Sequence, residues 1–249
     1  MFSVRIITVL AAVAALVILQ PRPAAAGEQE VIAEADSLYG QRSSNTRSNE
    51  AVELLRAGAV DYPDSYGIHW RLARATWWVC DGTNSESTKK SLGKEGWDAG
   101  ARAMEIKSDG IEGRYWMVLA LGEYSKGISI LKAISQGLDG KFSDNLDWVL
   151  AQDEGYDQGG ALRAKSRYHF SLPRFMRSFP KALEKLERSD ALTANHPRTQ
   201  YFLAVTHHAL GDDEAARKAL DASLNSTWSS RAERERVLGW AQDFEAELE

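Results

Sequence analysis

Cysteine is almost missing from this chain. Cys80 is the only one in 249 residues, so no intrachain disulfide can form and packing alone must hold the fold. Histidine is thin as well. His207 and His208 are adjacent on a helical stretch and point apart, while His69, His169 and His196 stand alone. A zinc site needs three or four converging ligands, and no H-E-x-x-H occurs, so neither a metal nor a cofactor is called for. There is no surplus of positive charge. Thirty Lys and Arg face 35 Asp and Glu, a balance that argues against broad nucleic-acid binding. No G-x-S-x-G turn is present to raise a nucleophile, and no catalytic set is assigned. Runs of alternating β-branched residues are also missing, which excludes a sheet-based fold.

What is present begins with a leader. Arg5 precedes an uncharged run from Ile6 to Leu19, Pro21 and Pro23 break it, and Ala24-Ala25-Ala26 offers a small-residue cleavage pattern. Fourteen helical residues span only about 21 Å, short of a hydrocarbon core of about 30 Å. Residues 1–26 therefore read as a cleaved signal peptide, with an uncleaved anchor over Val4–Gln20 as the alternative, and the address is the periplasm. Cleavage removes Arg5 and Arg22 but no acid, leaving 28 cations, 35 acids and a mature charge of −7. Residues 27–47 read as a linker or short N-terminal segment, and 48–249 as one domain.

Apolar residues then recur at spacings of three and four. Helices are expected over 48–61, 65–80, 86–107, 111–138, 145–156, 160–172, 179–194, 198–210, 212–224 and 231–248. Breaks fall at Pro63, Gly82, Ser108–Gly110, Asp139-Gly140, Gly159-Gly160, Pro173, Pro197 and Gly211. In residues 196–228, Leu203-Ala204, Gly211, Ala216, Leu220 and Ser223 match the small and large positions of a tetratricopeptide repeat, with Pro197 ahead of the first helix. Ala51, Leu55, Gly58 and Pro63 have the offsets of a repeat's second helix, and Leu72-Ala73 those of the next first helix. Gly96, Gly100 and Ala103 put small residues on one helix face for close packing. The fold class is all-α: a tetratricopeptide-like array of antiparallel helix pairs, about four imperfect repeats around an elaborated central region.

The stretch "EGYDQGGALRAKSRYHFSLPRF", residues 154–175, nearly mimics a phosphate loop. Gly155 and Gly160 have the spacing, but Ala161-Leu162 follows where Lys-Ser/Thr is needed, and no strand precedes. A helix break with Gly159 or Gly160 at positive φ is the better reading. Arg163 and Arg167 share a face, either as a solvated or acid-paired surface or as the holder of a carboxylate. Cys80, behind Trp77-Trp78 at an apolar helix end, reads as a buried inert thiol. Eight tryptophans are the odd signal. Large aromatics fill grooves between helices, or they wall a cleft for a small apolar ligand. Trp77 and Trp78 are helical neighbours and do not easily face one core. The candidate ligand-binding residues are Trp77, Trp78, Trp116, Tyr124, Trp148, Tyr156, Arg163 and Tyr168.

"YPDSYGIHWRLARATWW", "EGWDAGARAMEIKSDGIEGRYWMVLALGEY" and "DEGYDQGGALRAKSRYHFSLP", followed by the proline-marked repeat, resemble the T-component of the tetratricopeptide-associated TRAP transporters over roughly residues 48–225. A more distant resemblance is to the regulator-of-microtubule-dynamics family. The first resemblance implies a periplasmic, non-catalytic helical protein. It would pair with the substrate-binding protein of a TRAP transporter, pass it an apolar ligand through an internal cavity, and assemble as a homo-oligomer. Members are often lipoproteins, and this chain has no cysteine after its apolar run, so it departs from the family in its membrane tether. Tyr156, Gly159, Gly160, Arg163 and Tyr168 match the family motif and are expected to shape the fold. A general tetratricopeptide adaptor of the cell envelope is the alternative function.

Overall fold

The computed structural model describes residues 27–248, so the leader expected at 1–26 lies outside the described residues. Helix α1 (Glu28–Gly40) packs on α2 (Asn45–Asp61), and α3 (Tyr66–Asp81) on α4 (Glu86–Ile106). Helix α5 (Ile111–Gly127) packs on α7 (Leu138–Gln152), with the short α6 (Ile130–Ser135) between them in sequence. Next come α8 (Tyr156–Ser171) with α9 (Phe179–Leu192), then α10 (Pro197–Ala209) with α11 (Asp213–Leu224). A last helix, α12 (Arg231–Leu248), covers α10 and α11. No strand occurs among the described residues, so the all-α repeat architecture expected from the sequence is the architecture found. Among the same residues no helix is long and apolar enough to cross a membrane.

The helix starts are chemical. Ser65 Oγ accepts from the Ile68 amide, Ser85 Oγ from Thr88 and the Asp212 carboxylate from Ala215, each satisfying a donor that the first turn leaves orphaned. The small residues read as repeat positions are buried. Ala204, Ala216 and Ser223 lie between α10 and α11, and Ser223 Oγ donates to the Pro197 carbonyl at 3.1 Å. Glycine allows the closest approach, between α4 and α5. A Cβ on Gly100 would stand 2.4 Å from Met117 Cβ and 2.6 Å from its Cα. On the α3 side of α4, one on Gly96 would meet Thr76 Oγ1 at 2.2 Å.

Beside a small cluster of Leu121, Ala133 and Leu138, two larger apolar cores result. The larger joins α1–α5, α7 and α8 through Leu55, Ile68, Val118 and Leu146, and the smaller lies under α9–α12 around Leu186, Leu220 and Phe244. Each fully buried side chain of this kind contributes about 1.5–3 kcal/mol.

Three boundaries differ from the sequence reading. Residues 27–47 carry α1, whose Val31, Ala35 and Leu38 pack on α2 and α3. Its acids outnumber its apolar anchors and mask the periodicity. The single helix expected over 111–138 is instead α5, a turn at Ile128–Ser129, α6, a turn at Gln136–Gly137 and the start of α7. Ser129 at φ 77° and Gly137 at φ 69° end the helical path. The break expected at Asp139-Gly140 is not there, because both residues lie in the first turn of α7, where an acid at the positive end of the helix dipole is favourable.

Candidate functional site

The first helices of the pairs share an inner face. Residues of α1, α3, α5, α8 and α10 line one cleft of about 780 Å³, with α6, α7, α12 and Lys89 of α4 also contributing. Helices α2, α9 and α11 contribute no wall residue, so they form the outer layer. The array curls until its ends meet. Arg42, just after α1, donates to Ser230 Oγ at 3.1 Å, 188 positions later. Arg236 of α12 donates to the Trp78 carbonyl at 3.1 Å, and its guanidinium lies 4.1 Å from that ring's centroid.

The closure is ionic at its centre. Arg198 of α10, only 6% exposed, donates to Asp81 Oδ2 at 2.9 Å and through Nε to Glu233 Oε2 at 3.0 Å. Arg236 reaches the same Asp81 oxygen at 3.3 Å. Burial pushes the Asp81 carboxyl up, but Arg198 and Arg236 outweigh it and hold the group below the usual carboxylate range. Sequence reasoning missed Arg198, Asp81 and Glu233 because no local pattern announces partners so distant.

One wall of the cleft is strained. Asp157, Gln158 and Gly159 are all left-handed, at φ 48°, 55° and 78°, just before the regular part of α8. Glycine bears this without cost, whereas each of the other two costs about 1–3 kcal/mol. Four hydrogen bonds hold the turn. Tyr115 Oη donates to Asp157 Oδ2 at 2.6 Å. Arg163 donates to the carbonyls of Gln158 and Asp157 at 2.6 and 2.9 Å, and Ser189 Oγ to that of Gly159 at 3.3 Å. Gly160 must lack a side chain, since a Cβ there would lie 2.1 Å from Tyr115 Oη. Burial pushes the Asp157 carboxyl up despite Arg163 and Tyr115. Nearby His196 is held neutral: burial, with Arg163 and Arg198 adding to it, pushes its imidazole down to about 2.

Of the sequence candidates, Trp77, Trp116, Tyr156, Arg163 and Tyr168 line the cleft. Trp77 and Trp116 meet at 5.2 Å between centroids, and Tyr115 bridges Trp116 to Tyr156. Three candidates lie elsewhere. Trp78 is buried, its Nε1 donating to the Arg42 carbonyl at 2.9 Å, so Trp77 and Trp78 indeed face different surroundings. Tyr124 packs on Trp97, and Trp148 lies under the Arg114 guanidinium. Tyr39, Trp70, Trp228 and Trp240 line the cleft and were not picked out; they come from the overlooked α1 and from other parts of the chain. The basic face of α8 is acid-paired at Arg163, which lies 3.7 Å from the Asp157 carboxylate, and not at Arg167. Arg163 is buried against carbonyls, and Arg167 lies between the rings of Phe170 and Phe202 at 4.6 and 4.8 Å. Cys80 is buried and its thiol is pushed up to about 12, chiefly by burial.

Chemically, this cleft offers aromatic and aliphatic surface between charges that mostly satisfy one another. Among the described residues no cluster of three or more His, Cys, Asp or Glu side chains is placed to hold a metal ion.

Residues 31–142 match the family model described as regulator of microtubule dynamics protein 1-3. Regulator of microtubule dynamics protein 3 of Mus musculus is 28% identical over 143 residues, covering 57% of this chain and 30% of that protein. The aligned stretch is thus under a third of that relative's length. The stretch matched by the family model holds Trp77 and Trp116 but not Arg163, Arg167 or Arg198. Among solved structures, a thermophilic tetratricopeptide-repeat protein of Thermus thermophilus is similar at TM-score 0.64 and 15% identity, over 87% of this chain and 99% of that one. PilF of Pseudomonas aeruginosa is similar at TM-score 0.52 and 17% identity, over 89% and 100%. The fold is that of the tetratricopeptide-repeat proteins.

Proposed function

We propose that this chain is a non-catalytic, exported helical-repeat binding protein whose cleft receives a small ligand with an apolar body. Its place is that of an accessory component in TRAP-type solute uptake, where it docks a substrate-binding protein and exchanges the ligand with it. The observation that carries this reading is the aromatic-walled cleft of about 780 Å³, within the range of about 300–1,000 Å³ common for small-molecule sites. An open array presents a long groove to peptides, whereas here the ends join and rings share the wall with polar side chains. The side chains best suited to chemistry are disarmed, with His196 kept neutral and Cys80 kept protonated. The leader pattern at 1–26 and the resemblance to the transporter T-component support the export and partner parts of the proposal.

The test is gentle purification of the tagged full-length protein from periplasm, followed by native mass spectrometry. A small adduct and a co-purifying solute-binding protein support the reading. A bare chain with peptide partners favours a general envelope adaptor instead, and recovery of the protein in the cytoplasm sinks the export part.

A further inference from the structure

The charges of the cleft balance almost completely. Arg198 is shared by Asp81 and Glu233, Arg74 pairs with Asp36, and Lys89 and Lys126 share Glu123. Arg163 spends its donors on the carbonyls of Gln158 and Asp157. Arg42 donates to the Tyr39 carbonyl and Ser230 Oγ.

Arg167 is the exception. It lines the cleft, and among the described residues no carboxylate, carbonyl or hydroxyl accepts from it. Its guanidinium is held between two rings, Phe170 at 4.6 Å and Phe202 at 4.8 Å. Phe202 in turn stacks on Trp240 of α12 at an interplanar angle of 16°. The rings cover the guanidinium and leave its N–H edge without a protein acceptor. Arg167 is half-buried, and burial pushes its guanidinium down from its ordinary value.

We infer that Arg167 receives the carboxylate of a long-chain monocarboxylic acid whose tail lies along the aromatic cleft. The planar N–H fork of arginine matches a carboxylate in two-pronged geometry. One guanidinium left without any polar acceptor calls for a single anionic head group. The tail side follows from the neighbours: Tyr168, beside Arg167, stacks on Phe142 at 5.7 Å, and Leu119, Ile134 and Leu138 continue the apolar wall. This inference rests on the ligand-binding reading above and adds the head group to it.

The test uses cis-parinaric acid and its methyl ester as fluorescent probes, titrated into the full-length protein and its Arg167→Met variant. The acid binds saturably to wild type, and the variant loses about tenfold or more of that affinity, the value of a charge-assisted hydrogen bond. The ester binds both proteins alike and more weakly than the acid binds wild type. Methionine keeps the length of the side chain and removes an unpaired charge, so the thermal midpoint of the variant stays level or rises. Equal binding of acid and ester to wild type, or an acid affinity untouched by Arg167→Met, overturns the carboxylate assignment and leaves the apolar cleft standing. Failure of both probes to bind wild type overturns the ligand-binding reading itself.

Discussion

Arg198 Nη1 lies 2.9 Å from Asp81 Oδ2, although 117 positions separate the two residues. That contact joins the C-terminal end of α3 to the start of α10 and draws the row of helix pairs around the cleft. Its energetics are those of a buried pair. Desolvation is costly, and the arrangement is stable only while every charge keeps its partner. Replacing Arg198 by methionine leaves Asp81 and Glu233 buried together, and should cost about 3–5 kcal/mol in urea unfolding. Arg231→Met breaks an exposed pair with Glu235 and should leave the urea midpoint essentially unchanged.

Two buried groups give stability opposite slopes with pH. His196 has its folded value far below 6.5, so the unfolded chain takes the proton first. Its contribution is complete above pH 6.5 and falls away below it, with a slope approaching about 1.4 kcal/mol per pH unit. Asp157 has its folded value raised above 3.8, so the folded chain holds that proton longer, and stability from this group is lost as pH rises through the folded value. Urea midpoints from pH 3 to 8 should therefore show His196→Gln flattening the fall below pH 6.5. Asp157→Asn, which still accepts from Tyr115, should raise the midpoint at pH 7 and converge on wild type below pH 3.8.

The α4–α5 seam tolerates no added carbon. Gly100→Ala places a methyl within 2.6 Å of the Met117 backbone, and backbone cannot swing aside. A loss of about 1–3 kcal/mol is expected in thermal or urea unfolding. Gly140→Ala meets nothing within 4 Å and, inside α7, should be neutral or slightly stabilising.

Cys80 should be silent to thiol reagents in the native state. With its thiol pushed up to about 12 there is almost no thiolate at pH 8. Colour development with a disulfide reagent should follow unfolding across a urea series. A fast stoichiometric reaction without denaturant would contradict its placement.

The helices were legible because each pair buries one stripe, and the spacing of three and four records it. Leu203, Ala204, Ala216 and Leu220 follow that rule closely enough to give the fold class. Helix α5 defeated it, since Trp116, Val118, Ala120 and Leu121 are buried on several sides and no stripe marks where the helix stops. The stop rests on Ser129 in a left-handed conformation that its residue type does not signal. In the cleft, aromatic content pointed correctly to Trp77 and Trp116. It could not separate them from Trp148 and Tyr124, which differ only in helix and phase. Arg167 was visible as a basic residue, but its lack of a partner exists only once Phe202 and Trp240 come from later helices to surround it.

The most direct measurement is a fluorescence titration with the neutral apolar probe N-phenyl-1-naphthylamine, using wild type, Trp77→Leu and Trp148→Leu. Trp77 faces the cleft, and Trp148 lies outside it beneath Arg114. The account predicts saturable one-to-one binding to wild type, retained in Trp148→Leu and strongly weakened in Trp77→Leu. No saturable binding, or equal weakening in both variants, would contradict the claim that this closed array is built around an apolar ligand.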